Sequence, residues 1–130
     1  KGESTFVAFQ LVYAVKILRE YAFLKNDADY IKQLDDIKAK LDEILAACWN
    51  EDRWIRGYKE DGAVIGQRTD PEANMWLNPQ SWSVISGFAS KEQAEKALPD
   101  MKLRSNVFPS QALLRRKTVT IMRASLVWRL

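Results

Sequence analysis

The chain has 130 residues and a mass of 15.0 kDa, with 47% apolar and 28% charged side chains. This is the balance of a soluble globular chain rather than a disordered one, and no apolar run approaches the roughly 18 residues of a membrane-spanning helix. Its net charge of +3 is unevenly spread: residues 1–100 carry 13 basic and 17 acidic side chains, whereas residues 101–130 carry seven basic ones and no acid.

Residues 4–25 are predicted as a helix that is apolar around most of its circumference. Val7, Leu11, Val15, Leu18 and Ala22 form one stripe, and Phe6, Phe9, Tyr13, Ile17 and Tyr21 cover the next sector. A helix this apolar packs on more than one side. Asn26 and Asp27 then supply a stop and an N-cap. The second helix, over about residues 28–48, has a single stripe: Ile31, Leu34, Ile37 or Lys38, Leu41, Ile44 or Leu45, and Cys48. An apolar helix followed by an amphipathic one is the inner-then-outer order of a layered α-helical toroid, and a helical bundle gives the same pattern.

From Trp49 the period changes. Residues 54–58 read as a short strand, 59–62 as a turn with Asp61-Gly62 at its tip, and 63–67 as the returning strand. Residues 68–74, with Asp70-Pro71, read as a loop. A further helix is expected to begin at Asn78-Pro79, with Asn as cap and Pro in the first turn, and to carry Trp82, Val84, Ile85 and Phe88. Ser90 with Gln93 makes a capping box for the next short helix, which Pro99 closes. The expected fold class is mainly α with a short β-hairpin.

Candidate chemistry is narrow. The chain has no histidine, which excludes Ser-His-Asp and Cys-His nucleophiles, His-based zinc motifs and an imidazole base. The single cysteine, Cys48, cannot close an internal disulfide, so no oxidising compartment is implied; it reads as a buried, inert thiol. The neighbouring carboxylates Asp35-Asp36, Asp42-Glu43, Glu51-Asp52 and Glu60-Asp61 do not face each other and read as solvated surface. Neither a phosphate-binding glycine motif nor a Cys/His metal spacing occurs, so no metal site is expected. The aromatic cluster is the more informative feature: Trp49, Trp54, Tyr58, Trp76 and Trp82 are interleaved with Arg53, Arg56, Asn74, Asn78 and Gln80. Flat aromatic faces beside amide and guanidinium groups suit sugar rings, and the same tryptophans would equally fill a core between helices.

Several segments carry a family resemblance. They are Gly2-Glu3-Ser4 opening the apolar helix, the run Trp49-Asn50-Glu51-Asp52-Arg53-Trp54-Ile55-Arg56-Gly57-Tyr58, the stretches Val64-Ile65-Gly66 and Asp70-Pro71-Glu72-Ala73, and above all Trp76-Leu77-Asn78-Pro79-Gln80-Ser81-Trp82-Ser83-Val84-Ile85-Ser86-Gly87. Over about residues 2–98 the chain resembles the inverting disaccharide phosphorylases of glycoside hydrolase family ninety-four, the cellobiose and chitobiose phosphorylases. The resemblance implies part of an (α/α)6 barrel catalytic domain. It also implies reversible phosphorolysis of a β-linked disaccharide to a sugar 1-phosphate with inversion, with inorganic phosphate as co-substrate and no cofactor. In such a reaction phosphate attacks the anomeric carbon while one carboxylic acid protonates the leaving oxygen.

By that resemblance the general acid is an aspartate expected upstream of Lys1, and the phosphate-binding residues are expected downstream, so no catalytic residue is assigned within the chain. Glu3, Ser4 and Thr5 follow the catalytic loop closely and are candidates for bordering the substrate. Gln80 and Trp82 either stand at the mouth of the barrel or only support it. The expected setting is cytoplasmic, with a homodimeric parent, no specific nucleic acid and no membrane.

Past Leu98 the caps and the periodicity fade. The resemblance is expected to end there, dividing the chain into residues 1–98 and a basic tail, 99–130, that arises from a shifted reading frame or a truncated gene. Two alternatives stand beside the phosphorylase reading: a glucan-synthase-associated relative on the same toroid, and a non-enzymatic helical module that binds an anionic partner through the tail.

Overall fold

A computed structural model describes residues 2–98. The order is β1 (Glu3–Ser4), α1 (Thr5–Leu24), α2 (Ala28–Ala46), β2 (Trp49–Asn50), β3 (Arg53–Trp54), β4 (Gly57–Tyr58), β5 (Val64–Ile65), α3 (Leu77–Ile85) and α4 (Lys91–Ala97). The described residues are mainly helical, as expected, and their four helices do not close a barrel. None of these helices is long and apolar enough to cross a membrane.

α1 stops where Asn26 takes a left-handed conformation (φ 56°). The Asp27 amide then donates back to Ala22 O at 3.0 Å, and the Asp27 carboxylate caps α2 by accepting from the Tyr30 amide at 2.9 Å. This short connection folds α2 back along α1, and Arg19 meets Asp35 across the pair. The core takes Phe9, Val12, Val15 and Ala22 from α1, Leu34, Leu41 and Leu45 from α2, and Cys48 just beyond its end.

The predicted stripe of α1 is therefore out of phase. Val15 and Ala22 are buried, but Val7, Leu11 and Leu18 are 56%, 46% and 40% exposed. Phe9 and Val12 take the buried places. The physical reason is that nearly every sector of α1 is apolar, so periodicity does not single out the one that meets α2. In α2, where polar residues fill the rest of the circumference, the stripe holds at Leu34, Leu41, Leu45 and Cys48, but Ile37 is 42% exposed, Lys38 is exposed, and Leu45 rather than Ile44 faces inward.

The irregular stretch after α2 is two small antiparallel sheets rather than one hairpin. β2 pairs with β3, with Trp49 opposite Trp54. β4 is the middle strand of a separate sheet in the order β1-β4-β5. The predicted 54–58 strand is thus divided at Ile55-Arg56, and its second half acquires a partner, β1, at the beginning of the chain. Trp54 is fully buried, with Trp49, Phe9 and Phe88 packed edge-on at ring-centroid distances of 4.8, 5.1 and 5.5 Å. That arrangement is favourable for aromatic quadrupoles.

α3 begins earlier than predicted. Its N-cap is Trp76 and no side chain caps it, so Asn78 and Pro79 lie inside the first turn. Pro79 fits there because an amide hydrogen in the first turn has no intrahelical acceptor. Ser90 and Gln93 do form the expected reciprocal capping box on α4. The expected basic tail, residues 99–130, lies outside the described residues.

Candidate functional site

β4 brings distant segments together. Ser4 and Ile65 lie opposite Gly57 on its two sides, and Glu3 and Val64 lie opposite Tyr58. Just before β4, the Arg56 carbonyl accepts from the Thr5 amide at 3.2 Å, and the Arg56 amide donates to Ile65 O at 2.7 Å. Two glycines permit this closeness. A Cβ on Gly57 would run into the Glu3 carbonyl oxygen, and one on Gly66 would lie 2.8 Å from Arg56 N and 3.0 Å from Trp76 Cδ1. Gly57 thus serves strand approach, while Gly62 alone serves the tight turn (φ 83°).

The Arg56 side chain continues the convergence. Its Nη1 donates to Ser4 Oγ at 2.7 Å, and its guanidinium carbon stands 5.4 Å from the Trp76 ring centroid, within cation–π range. Ser4 and Trp76 are the N-caps of α1 and α3, and neither makes a side-chain cap bond to its own helix.

The five candidate residues divide. Glu3, exposed on β1, lines an open depression of about 340 Å3 with Tyr58, Lys59, Glu60 and Gly62. Ser4 is half-buried under Arg56, and Thr5 is buried beside Cys48. Gln80 is fully buried: its Oε1 accepts from the Trp54 amide at 2.8 Å, and its Nε2 donates to Trp54 O at 2.7 Å and Trp76 O at 3.1 Å. Both amide hydrogens of Gln80 are thereby committed to the main chain, which is the supporting role. Trp82, two residues from Gln80 on α3, is half-buried against Phe6 and Tyr13, with ring centroids 5.8 and 6.1 Å away. Arg56 and Trp76 stood in the aromatic cluster without being singled out; Ser4 is 52 positions from Arg56, and no local spacing reveals such a pair.

The titrating groups show what chemistry the described residues hold. The Arg53 guanidinium, hydrogen-bonded to both oxygens of Asp52, holds that carboxyl below the usual range, with Arg68 adding to the effect. Arg19 does the same to Asp35, and Lys96 to Glu92. All three are held ionised, the reverse of what a general acid requires. Burial pushes the Cys48 thiol upward, and its Sγ donates to Ile44 O at 3.3 Å, as suits an inert buried thiol. Burial likewise raises the Tyr58 phenol. No group of three His, Cys, Asp or Glu among the described residues could hold a metal ion.

β1, Arg56 and the start of α3 thus meet at one corner of the described residues. Residues 1–107 match the catalytic domain of the Glycosyl hydrolase 94 superfamily, and the chain belongs to that family. The match runs past Leu98, where the resemblance was expected to end. The chain is similar to the 3-O-beta-D-glucopyranosyl-beta-D-glucuronide phosphorylase of Paenibacillus borealis, with 31% identity over 99 residues, covering 75% of this chain and 13% of that protein. It is 33% identical over 110 residues to the cellobionic acid phosphorylase of Neurospora crassa, covering 82% of this chain and 14% of the relative. To the solabiose phosphorylase of Paenibacillus borealis it is 31% identical over 113 residues, or 84% and 15%. The chain therefore spans about one-seventh of the length of these relatives.

Proposed function

We propose that the chain is a segment of an (α/α)6 toroid catalytic domain in an inverting phosphorylase, which converts a β-linked, cellobiose-like disaccharide and inorganic phosphate into a sugar 1-phosphate. The observation that carries this reading is the family match over residues 1–107 together with relatives that are disaccharide phosphorylases. The fold supports it: α1 is apolar on sides that α2 and α3 leave open, as an inner toroid helix would be. In this reading α1 and α3 are inner helices whose N-terminal ends face the substrate end of the barrel. Glu3, Ser4 and Thr5 border the substrate, and Gln80 braces the wall behind them. Phosphate is the co-substrate, no organic cofactor takes part, and the protein works in the cytoplasm.

The test is phosphate-dependent release of sugar 1-phosphate by the full-length protein that carries this segment. Cellobiose, chitobiose, cellobionic acid and a glucosyl-glucuronide should be compared, the last two because two relatives act on sugar acids. Turnover of one of them with inverted anomeric configuration is expected. The 130-residue chain alone is expected to show none, since it spans only about one-seventh of the length of the phosphorylases it resembles. Hydrolysis without phosphate, or no turnover of any disaccharide by the full-length protein, would refute the reading.

A further inference from the structure

Four attachments converge on Arg56. Its carbonyl accepts from the Thr5 amide, its own amide donates to Ile65 O, its Nη1 donates to Ser4 Oγ, and its guanidinium lies over Trp76. Ser4 and Trp76 are the residues at which α1 and α3 begin, and both helices lack a side-chain cap of their own. In place of two local caps, one side chain from a third segment joins the two starts. The packing around it leaves no slack, because even a methyl group at Gly66 would meet the Arg56 main chain and the Trp76 ring. Gln80 also holds the Trp76 main chain, its Nε2 donating to Trp54 O and Trp76 O. Displacement of the guanidinium would remove the side-chain link between Ser4 and Trp76 and loosen the 3–5 segment against the start of α3, leaving the β1–β4 pairing and the Phe6–Trp82 contact to hold them.

We infer that Arg56 is a positioning residue for the proposed phosphorolysis: by joining Ser4 to Trp76 it sets the start of α1 against the start of α3. The inference rests on the phosphorylase reading and deepens it, because misplacing a substrate-bordering segment by about 1 Å costs on the order of 100-fold in rate. Lysine is a poor substitute. One compact ammonium cannot both hold the Ser4 hydroxyl and stay over the indole 5.4 Å from its centroid, as the broad guanidinium does.

The experiment compares wild type, Arg56→Gln, Arg56→Lys and Ser4→Ala in the full-length protein, with steady-state phosphorolysis kinetics and amide hydrogen exchange measured on the same preparations. Arg56→Gln is expected to lower kcat about 10- to 100-fold with little change in KM. Exchange should quicken at residues 3–7 and 76–80 and stay unchanged over residues 28–46. Arg56→Lys, which keeps the charge and the fold, should recover only part of kcat, and Ser4→Ala should reproduce part of the loss. Unchanged kcat in Arg56→Lys and Ser4→Ala overturns the inference, as does unchanged exchange at residues 3–7. So does a loss confined to KM. A wild-type protein that is folded but shows no phosphorolysis overturns the phosphorylase reading itself and the inference with it.

Discussion

At the scale of single residues, Gln80 shows how a polar side chain can be as structural as an apolar one. Between β3 and α3 its amide imitates a peptide group, accepting from Trp54 N and donating to Trp54 O, so the main chain of a fully buried tryptophan, whose strand pairs with β2, is satisfied by a side chain rather than by a second strand. Replacing Gln80 by Leu keeps the volume and strands a buried donor and a buried acceptor. Each unsatisfied group costs about 1–3 kcal/mol, so the opening free energy of the Trp54 amide should fall by about 2–6 kcal/mol. Hydrogen exchange at that amide in the full-length protein measures it. Exchange as slow as in wild type would mean that Gln80 is not the brace described. Sequence alone does not announce this role. Gln80 sits within a specific motif, but a side-chain amide bonded 26 positions away has no local signature.

At the scale of elements, what could be read in advance followed from how locally each signal is written. The capping box of α4 is contained within four residues, and it formed as expected. The stripe of α2 was legible because charged residues exclude the other faces. α1 offered no such contrast, so its existence and length were readable but its buried sector was not. β1 is two residues long and pairs with a strand more than fifty positions away, too short to show a period. The candidate site follows the same rule: the 3–5 segment was picked out by resemblance, whereas its tie to Arg56 exists only in three dimensions.

The β2–β3 hairpin shows a further consequence of element-scale contacts. Asp52 holds Arg53 and Arg68, Arg53 reaches the Asn74 carbonyl at 3.1 Å, and Asn50 accepts from the Arg68 amide, so one carboxylate helps pin the loop after β5 to the hairpin. The Asp52 pKa is lower in the folded chain than in the unfolded one. Its stabilising effect is thus complete above the unfolded carboxylate value of about 3.9 and is lost as pH falls through the lower folded value. Asp52→Asn should remove that part of the acid sensitivity, giving a stability profile that is flatter below about pH 4 and lower at neutral pH. Parallel profiles for the two proteins, measured by urea unfolding of the full-length protein, would show that the hairpin is held by other contacts.

At the scale of the whole molecule, the main physical fact is apolar surface without a partner among the described elements. Val7, Leu11, Ile17, Tyr21, Phe23 and Leu24 of α1 are all exposed, Leu24 by 76%, and Leu77 and Ile85 of α3 add to them. Scattered exposed leucines are ordinary, but a helix with an apolar residue open on nearly every turn is not. If those sectors belong to the interior of a toroid, one substitution must have opposite effects in two settings. In the 130-residue chain, Ile17→Lys should lessen self-association and the binding of a hydrophobic dye while leaving helix content unchanged. In the full-length protein the same change should destabilise by about 1.5–3 kcal/mol, the worth of a buried aliphatic side chain, because the lysine would then face a packed core. Calorimetry and dye binding on the two proteins decide the matter. A short chain that unfolds sharply as a dye-negative monomer, or a full-length protein indifferent to Ile17→Lys, would mean that this face of α1 is true surface and that α1 is not an inner helix.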